Sequence, residues 1–408
     1  MQNNLLVAQS GGPTAAINAA LTGILRAAKS SGKIDHIFGS HHGIEGVLNH
    51  ELLNLDSLSE DPAALRDLFY TPASALGSCR YRLKESRQDQ ATYEKITETL
   101  RQNHITCFIY IGGNDSMDTV QKISSYFREN HVADIHIVGV PKTIDNDLMQ
   151  TDHCPGFGSA AKFIATAFSE LERDVSSYSV PGVLIVETMG RDTGWLTAAA
   201  SLARLNNRNG GPDFIYLCER PFSVDDFIRD VRQRYEKTSK VIAAVSEGIR
   251  DQNGLYLSQQ FQHDTEDSFG HRCIAGAGRV LEDLVRQEIG CKVRCIELNL
   301  LQRCASHIAS QTDLTESYLL GQKAVQCALE GHSGEMTCLI RQGNDPYEIR
   351  YSSVPVSLAA NKEKKIPNEW IAPQGNDVTD QMIDYLRPLI IGEVNVQYKN
   401  GMPVQSLL

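Results

Sequence analysis

The stretch of sequence that decides the fold runs from Cys107 to Ser116 and reads CFIYIGGNDS. Its opening residues are apolar without alternation, which is typical of a strand buried on both faces of a parallel sheet. The two glycines that follow end the strand, and Asp115 and Ser116 are favourable residues at the start of a helix. The stretch therefore predicts a strand, a tight loop and a helix.

The same unit recurs along the chain. Leu5 to Gln9 is an apolar strand before another Gly-Gly loop, and Ile135 to Val140 precedes a loop rich in carboxylates. The pattern resumes with the predicted strands Gly182 to Glu187, Phe214 to Cys218 and Val241 to Val245. Buried strands that alternate with helices indicate parallel sheets covered on both faces, and the chain is long enough for two of them. The sequence therefore predicts an α/β protein with two similar halves.

The charge balance excludes one class of partner. Among 408 residues, 39 are Lys or Arg and 50 are Asp or Glu, so the formal net charge is −11 with neutral His. Proteins held on nucleic acid or an anionic membrane usually carry a basic excess or stripe, which this chain lacks. No apolar stretch approaches the roughly 20 residues of a membrane span, and no export signal precedes the first strand. We therefore expect a cytoplasmic protein that meets anionic ligands in a local site.

Ten cysteines are scattered through the chain, as expected for free thiols of a cytoplasmic protein. One cluster, Cys291, Cys295, Cys304 and His307, offers four potential metal ligands. Structural zinc sites usually have two closely spaced pairs, and this spacing lacks them. We interpret these cysteines as small buried residues of a strand and a following helix.

Two glycine-rich loops follow the first two predicted strands. The loop from Ser10 to Thr14 contains Gly11 and Gly12, and the loop from Gly112 to Asp118 repeats the glycine pair and adds carboxylates. Adjacent glycines let the backbone approach a phosphate, and the free N–H groups at a helix start favour an anion. A single tight turn can also contain such a pair, so the recurrence carries the argument. In an open α/β sheet, ligands bind outside the carboxyl ends of the strands.

The third loop runs from Pro141 to Asp147 and reads PKTIDND. It places the ammonium of Lys142, the hydroxyl of Thr143 and the carboxylates of Asp145 and Asp147 directly after a buried strand. Phosphoryl transfer needs cations and N–H groups around the phosphoryl group, a bridging metal and a carboxylate base. A Walker A motif is absent, and no strand–helix junction carries G-x-G-x-x-G, so the ordinary P-loop and dehydrogenase functions are excluded.

The sequence resembles the phosphofructokinase family. The resemblance is carried by the order and spacing of the three loops, of Gly77 to Arg80, of Met189 to Arg191, of Glu247 and of Arg294 to Arg303. The string PKTIDND is its most specific part. The family implies two similar Rossmann-like three-layer α/β domains with mostly parallel sheets and an active site in the cleft between them. It also implies Mg²⁺ as cofactor and a homodimer or homotetramer.

The resemblance implies roles for individual residues. Asp145 matches the base that deprotonates the 1-hydroxyl of fructose 6-phosphate. The positions that match substrate-binding residues are Thr143, Asp147, Met189, Gly190, Arg191, Glu247, Arg303 and Arg294, the last in this or a neighbouring subunit. The positions assigned to the phosphoryl donor are Gly11, Gly12, Arg80, Gly113 and Ser116. Asp145 and Asp147 would hold the metal, with Asn114 as a further candidate ligand.

Two positions bear on the phosphoryl donor. ATP-using members of the family have a glycine where this chain has Asp115, and usually another where it has Lys142. A carboxylate at Asp115 would fill the room of the ATP α-phosphate and repel it, whereas Lys142 would neutralise pyrophosphate. The sequence thus resembles the pyrophosphate-dependent branch, which reversibly forms fructose 1,6-bisphosphate and phosphate. Asp115, Lys142 and Asp145 are the candidate catalytic residues. An ATP-dependent 6-phosphofructokinase and a non-catalytic sugar-phosphate-binding regulatory subunit are the alternatives.

The chain departs from the family pattern at several positions. Asn114 replaces a metal-associated Asp, Leu300 replaces a histidine near the sugar phosphate, and Gly182 replaces an intersubunit arginine. These changes leave a larger ketose phosphate, such as sedoheptulose 7-phosphate, as an alternative substrate. Thr22 replaces an effector-site arginine, so we expect no control by ADP or phosphoenolpyruvate.

We divide the chain into three parts. The donor-binding domain takes residues 1–156 and roughly 300–355, the sugar-phosphate-binding domain takes 157–299 and part of the C-terminal segment, and 356–408 forms an appendage. The turn-rich passage from Thr151 to Ser159 would cross between the domains, with Ser159 capping a helix that starts at Ala160. The appendage contains the lysine run Lys362 to Lys365, which we interpret as a solvated surface.

Overall fold

The computed structural model describes residues 2–206, 210–260, 276–406 and 408. Its strands are β1 (Asn4–Gln9), β2 (Ile37–Ser40), β3 (Leu52–Asn54), β4 (Ile105–Gly112), β5 (His136–Pro141), β6 (Gly182–Thr188), β7 (Phe214–Tyr216), β8 (Lys240–Ser246), β9 (Val293–Glu297), β10 (Glu335–Asn344), β11 (Tyr347–Pro355), β12 (Tyr398–Lys399) and β13 (Met402–Pro403). Its α-helices are α1 (Ile17–Ser31), α2 (Ile44–Asn49), α3 (Asp56–Glu60), α4 (Pro62–Tyr70), α5 (Gln90–Gln102), α6 (Asn114–Glu129), α7 (Phe157–Ser177), α8 (Trp195–Ala198), α9 (Val224–Thr238), α10 (Ala277–Glu288), α11 (Gln311–Leu329) and α12 (Asp380–Leu386).

The chain forms two compact units, and neither is continuous in sequence. The first consists of residues 1–159, 303–364 and 391–408, and the second of residues 160–302 and 365–390. The division near residue 160 lies close to the predicted boundary at 156. The segment 356–408, which was predicted as one appendage, is divided between the two units: residues 365–390 belong to the second unit and 391–408 to the first.

A seven-stranded sheet forms the first unit, in the order β11-β10-β5-β4-β1-β2-β3. The pairs from β10 to β2 are parallel, and the edge strands β3 and β11 are antiparallel to their neighbours. Side chains alternate between its two buried faces: Phe108 and Tyr110 of β4 pack in one apolar cluster, and Ile109 and Ile111 pack in the other. Burial of both faces explains why β4 reads as a continuous apolar run.

Helices α1 and α11 cover one face of this sheet and pack closely against each other. A Cβ on Gly23 of α1 would lie 2.0 Å from Tyr318 O, and one on Gly321 of α11 would lie 2.2 Å from Ala20 O. These glycines therefore allow the backbones of the two helices to touch. Helices α5 and α6 contribute Ile96, Leu100 and Val120 and other apolar residues to the cluster on the opposite face.

A four-stranded parallel sheet forms the second unit, in the order β7-β8-β6-β9. Val183 and Ile185 of β6 pack with Phe227 of α9 and Leu281 of α10. Leu184, which points to the other face of β6, is also buried. The prediction of an α/β protein with two mostly parallel sheets is confirmed.

Several local predictions are corrected by the structure. The strand predicted from Phe214 to Cys218 ends at Tyr216. Helix α7 begins at Phe157, so Ser159 is not its cap; its Oγ donates instead to Asp313 Oδ2 at 2.5 Å. The described cysteines are free thiols, as predicted, but Cys304, which was interpreted as buried on a helix, is exposed in a turn. Among the helices of the described ranges, none combines the length and the apolar character needed to cross a membrane.

Candidate functional site

The three predicted loops lie together at the carboxyl ends of β1, β4 and β5, with β4 in the middle. The backbone N–H of Ser10 donates to Ile111 O at 2.9 Å, and that of Lys142 donates to Gly112 O at 2.9 Å. Main-chain hydrogen bonds thus join the first and third loops to the end of β4. The position is the one at which open α/β sheets bind ligands.

The first loop is also bonded to the segment that precedes Arg80. Gly11 has φ +77°, a conformation that favours glycine. Its carbonyl accepts a hydrogen bond from Ser78 Oγ at 2.6 Å, and its N–H donates to Cys79 O at 3.3 Å. The chain therefore brings residue 80 to the first loop through its neighbours.

Lys142 is buried among the loops, with 2% of its surface exposed. Its Nζ donates to Ser10 O at 2.9 Å and to Gly12 O at 2.5 Å. Burial lowers the pKa of Lys142 to about 7, although Asp145 and Asp147 oppose the shift. An anion bound nearby would favour the charged ammonium, so this group is suited to a phosphate ligand.

The second loop contains one structural hydroxyl and one exposed carboxylate. Ser116 is buried, and its Oγ donates to Ser10 Oγ at 3.1 Å. A Cβ on Gly112 would lie 1.9 Å from Ser116 Oγ, so this position requires glycine. Gly113 is the residue before α6, and Asp115 is exposed in the first turn of that helix. Ser116 therefore joins two loops, while Asp115 faces solvent.

The third loop turns sharply between its two carboxylates. Asn146 has φ +55° and is fully buried, and its Oδ1 accepts a hydrogen bond from Cys154 N–H at 3.0 Å. Thr143 Oγ1 accepts one from Asp145 N–H at 3.1 Å. These bonds fix the backbone on both sides of Asp145, so the direction of each carboxylate is set by the turn.

The carboxylates of Asp145 and Asp147 fit a divalent cation. Burial, followed by the charge of Asp145, raises the pKa of Asp147 to about 7. Asp147 Oδ1 is buried and has no hydrogen-bond partner among the described residues. A cation would relieve both the repulsion and the unpaired oxygen, and carboxylate oxygens are the ligands that Mg²⁺ prefers.

Asn114, the third candidate metal ligand, is engaged elsewhere. Its Oδ1 accepts a hydrogen bond from Asn361 N–H at 2.7 Å, and its Nδ2 donates to Lys362 O at 2.8 Å. Both ends of the amide thus hold the segment around residue 361. The residues that fit the metal are therefore Asp145 and Asp147.

Arg303 lies beside the first loop. A Cβ on Gly12 would be 3.2 Å from Arg303 Nη1. Burial, and then the nearby charge of Arg80, lowers the pKa of Arg303, while Asp145 opposes the shift. Arg80 is itself exposed. The first unit thus gathers two guanidinium groups and the Lys142 ammonium near its glycine loops and carboxylates.

In the second unit, the residues after β6 and β8 are joined to each other. Gly190 N–H donates to Glu247 Oε1 at 3.2 Å, and Gly190 O accepts from Ser246 Oγ at 2.7 Å. A Cβ on Gly248 would lie 1.9 Å from Arg191 O, so the two segments are in direct contact. Met189 N–H donates to Gln302 Oε1 at 3.2 Å.

Two arginines of this unit differ in their surroundings. Arg191 Nε is buried without a hydrogen-bond partner among the described residues. Arg294 is exposed on the edge strand β9, where it pairs with Leu184. Leu184 and Met189 are separated by about 16 Å of extended chain, at the usual rise per residue of a strand. The structure therefore brings Met189, Gly190, Arg191 and Glu247 together in this chain, but not Arg294.

Two residues at the carboxylate turn, Asp145 to Asp147, were not predicted as part of the site: Asn146 is buried and Lys364 is half-buried. Asn146 separates the two carboxylates, and the preference of Asn for positive φ could have identified it as the turning residue. Lys364 donates from Nζ to Asn146 Oδ1 at 3.3 Å, and no local pattern distinguishes it from Lys362 and Lys365.

Two units with mostly parallel sheets, one of which gathers cations and carboxylates at the carboxyl ends of its strands, define an α/β protein suited to anionic ligands. The chain belongs to the phosphofructokinase family, whose model matches residues 4–328.

The similarity to individual relatives extends over the whole length. The pyrophosphate–fructose 6-phosphate 1-phosphotransferase of Xanthomonas campestris is 41% identical over 403 residues, which are 98% of this chain and 94% of the relative. That of Halomonas elongata is 36% identical over 98% of this chain and 95% of the relative. The crystal structure of the pyrophosphate-dependent phosphofructokinase from Nitrosospira multiformis superposes with a TM-score of 0.89 and 36% identity, covering 100% of this chain and 96% of that one. Two Rossmann-like domains, as predicted, are thus confirmed.

Proposed function

We propose that this chain transfers a phosphoryl group from inorganic pyrophosphate to the 1-hydroxyl of fructose 6-phosphate, giving fructose 1,6-bisphosphate and phosphate. Relatives with that name match nearly the full length of the chain. Because pyrophosphate and the product ester differ less in free energy than ATP and that ester, we expect the reaction to run in both directions.

The burial of Lys142 is the observation that carries the choice of donor. Its ammonium lies at the meeting point of the Gly11-Gly12 loop and the end of β4. A buried cation with a pKa of about 7 is stabilised more by a compact, highly charged anion than by an anion whose charge is spread over a larger volume. Pyrophosphate supplies that charge on both of its phosphates, and the leaving phosphate would remain beside Lys142.

The carboxylate turn would supply the base. Asp145 is proposed to accept the proton of the sugar 1-hydroxyl, because its backbone is held by Thr143 and Asn146 beside the cationic loops. Asp145 and Asp147 would hold Mg²⁺, which when bound neutralises charge on the phosphate oxygens. Arg80 would bind the donor phosphates, and Arg303 would bind the sugar phosphate. Arg303 lies beside Gly12 and is affected electrostatically by Arg80 and Asp145.

The second unit would bind the sugar phosphate. Glu247 is suited to accept hydrogen bonds from sugar hydroxyls, and Arg191 to bind the 6-phosphate through its unpaired Nε. Met189 and Gly190 precede Arg191, and Gly190 N–H donates to Glu247 Oε1, so we assign them to the same sugar-phosphate site. Gly113 and Ser116 remain assigned to donor binding, because they shape the loop that would contact the donor. We further propose a cytoplasmic homodimer or homotetramer in which Arg294 serves a neighbouring subunit.

The deciding assay supplies the purified full-length protein with fructose 6-phosphate, Mg²⁺ and either pyrophosphate or ATP, and follows fructose 1,6-bisphosphate. We expect turnover with pyrophosphate, release of phosphate, and the reverse reaction from fructose 1,6-bisphosphate and phosphate. Turnover with ATP but not with pyrophosphate would refute the donor. A parallel assay with sedoheptulose 7-phosphate tests the larger ketose.

Asp145→Asn is the matched control for this assay, because it keeps the shape of the side chain and removes the base. We expect kcat to fall by about 10²- to 10⁴-fold in this variant. Binding of fructose 6-phosphate without turnover on either donor, in the unsubstituted protein, would instead indicate a regulatory subunit.

A further inference from the structure

We infer that Lys364 is a positioning residue that holds the carboxylate turn, Asp145 to Asp147, in its working geometry. Its Nζ donates to Asn146 Oδ1 at 3.3 Å, to Thr151 O at 3.2 Å and to Asp152 O at 2.7 Å. The three acceptors belong to the turn and to the segment that follows it. One ammonium thus bridges the two ends of a loop on which the proposed base and metal carboxylates are carried.

The backbone around Lys364 holds the same turn from its outer side. Lys364 N–H donates to Asp147 O at 2.6 Å, and Glu363 forms an antiparallel bridge with Leu148. Residues 363 and 364 therefore lie beside the turn and are bonded to its backbone. The side chain and the backbone of Lys364 both contact the turn, so its position and that of the turn are coupled.

Asn146 transmits this contact to the carboxylates on either side of it. Its Oδ1 accepts hydrogen bonds from Lys364 Nζ and from Cys154 N–H, and its φ of +55° sets the angle between Asp145 and Asp147. Loss of the ammonium would remove one of the groups that hold the Asn146 side chain.

The acceptor at Asp152 is itself firmly held. Arg341 donates to Asp152 Oδ2 from Nε at 3.0 Å and from Nη2 at 2.8 Å, and His153 Nδ1 lies 2.8 Å from the same oxygen. His153 is buried, and its Nε2 lies 2.6 Å from Glu316 Oε2 on α11. Lys364 therefore connects the carboxylate turn to a rigid charged cluster rather than to a mobile loop.

The charge of Lys364 also acts on the turn. Burial is the main reason that the pKa of Asp147 is raised, and Lys364 opposes that rise.

The prediction that the whole lysine run is a solvated surface was wrong for Lys364, which is enclosed by the contacts above, whereas Lys362 and Lys365 are exposed. Lys364 also lies beyond residues 4–328, the part that matches the family model.

The test compares Lys364→Met with Lys365→Met, a matched control from the same lysine run. The kinetic part of this test rests on the proposed function. For Lys364→Met we expect kcat to fall by about 10- to 100-fold and the Mg²⁺ concentration for half-activation to rise, while the KM for fructose 6-phosphate changes by less than about threefold. Lys365→Met should retain the parent values.

Hydrogen exchange of the metal-free protein supplies a readout that does not depend on activity. In Lys364→Met, amides of residues 144–154 should exchange at least about tenfold faster, while those of α11 and of the second unit keep their rates. A uniform increase throughout the protein, or unchanged exchange with kcat within threefold of the parent, would overturn the inference. If the unsubstituted protein had no phosphotransferase activity, the proposed function would fail and the exchange result would still decide the role of Lys364.

Lys364→Gln is the second variant, because it is smaller and keeps a hydrogen-bond donor without the charge. It should show the same selective exchange and a loss of kcat. If neither variant yields folded protein by far-ultraviolet circular dichroism, Lys364 acts as a general stabilising residue and the inference is rejected.

Discussion

Asp115 and Lys142 both follow β-strands that end at the same edge, yet their surroundings differ. Lys142 is 2% exposed and donates to two main-chain carbonyl groups, whereas Asp115 is exposed. Removing the lysine would leave those buried carbonyl groups without a donor, which costs stability. Substitution of Asp115 disturbs no such contact. Asp115 is therefore the residue at which the choice of donor can be tested separately from folding.

Asp115→Gly is predicted to weaken the use of pyrophosphate and to let ATP bind. Removal of the carboxylate opens room at the start of α6 and removes a negative charge that would repel a nucleotide phosphate. Glycine in the first turn also loosens the helix that borders the donor loop. We expect the KM for pyrophosphate to rise and the Kd for ATP to fall by about tenfold each, measured by steady-state kinetics and by calorimetry.

Asp380→Gly is the control for this substitution, since Asp380 is an exposed carboxylate in the first turn of another helix, α12. It should leave both donor constants unchanged. Unchanged ATP affinity in Asp115→Gly would contradict the steric and electrostatic argument.

At the residue scale, the sequence predicts groups whose chemistry lies in their own side chains. PKTIDND identifies Lys142, Asp145 and Asp147 because an ammonium and two carboxylates after a buried strand have few other uses. Lys364 escapes such a prediction because its role depends on contacts with Asn146 and Asp152, which are more than two hundred residues earlier. The exposed lysines beside it have the same local sequence.

At the element scale, a buried charged cluster joins three elements that are distant in sequence. His153 follows the carboxylate turn, Glu316 lies on α11, and Arg341 and Tyr347 lie on the β10–β11 hairpin. Tyr347 Oη donates to Glu316 Oε1 at 2.7 Å, and the Arg341 guanidinium lies 5.2 Å from the centre of the Tyr347 ring. Since every member has a charged or hydroxyl partner, the cluster holds the hairpin and α11 against the turn.

The stability of the protein is predicted to depend on the protonation of His153. Burial lowers the pKa of His153, but the carboxylates of Glu316 and Asp152 outweigh it and raise that pKa to about 9. The folded pKa lies above the ordinary value of 6.5, so the stabilisation is fully present below pH 6.5 and is lost as the pH rises through 9. Urea unfolding across that range should show a falling midpoint that His153→Gln lacks.

His307→Gln serves as the control, because His307 is exposed. It should keep the pH dependence of the parent. If His153→Gln and the parent lost stability in parallel between pH 6.5 and 9, His153 would not be the group responsible.

The sequence predicts the central strands better than the edges of the sheets. β1, β4, β5, β6 and β8 are buried on both faces, so their apolar runs are continuous. The hairpin of β10 and β11 was not predicted, because only part of β10 is buried and β11 is partly exposed along its length. At an edge, one face and one row of hydrogen-bonding groups are left to solvent, which weakens the sequence pattern.

At the scale of the whole molecule, the net charge of −11 hides a local group of cations. Arg80, Lys142 and Arg303 act electrostatically on one another or on Asp145 within the first unit. The composition alone could exclude a polyanion-binding surface, but it could not show this grouping. The grouping depends on three loops and a distant segment that meet at one sheet edge.

Subunit assembly is predicted to complete the sugar-phosphate site through Arg294. The residue is exposed on an edge strand and distant from Met189 within its own chain, so a partner could receive it. Mixing Arg294→Ala with Asp145→Asn, after reversible dissociation, should restore activity. If the protein is a dimer, about half of the dimers would contain one chain of each variant. Each of these would hold one intact site out of two, giving about a quarter of the parent activity.

Each variant taken through the same dissociation alone is the control, and each should stay nearly inactive. Activity of the mixture equal to the sum of the two separate variants would show that Arg294 acts within its own chain or not at all.

The interleaving of the two units has a consequence for synthesis on the ribosome. The first sheet receives β10 and β11 only after all of the second sheet's strands have been made, and residues 391–408 join later still. Contacts that span so much of the chain are slow to form. Until β10 is made, the β5 edge of the first sheet therefore stays exposed. During that interval its unpaired backbone groups can pair with other chains or bind chaperones.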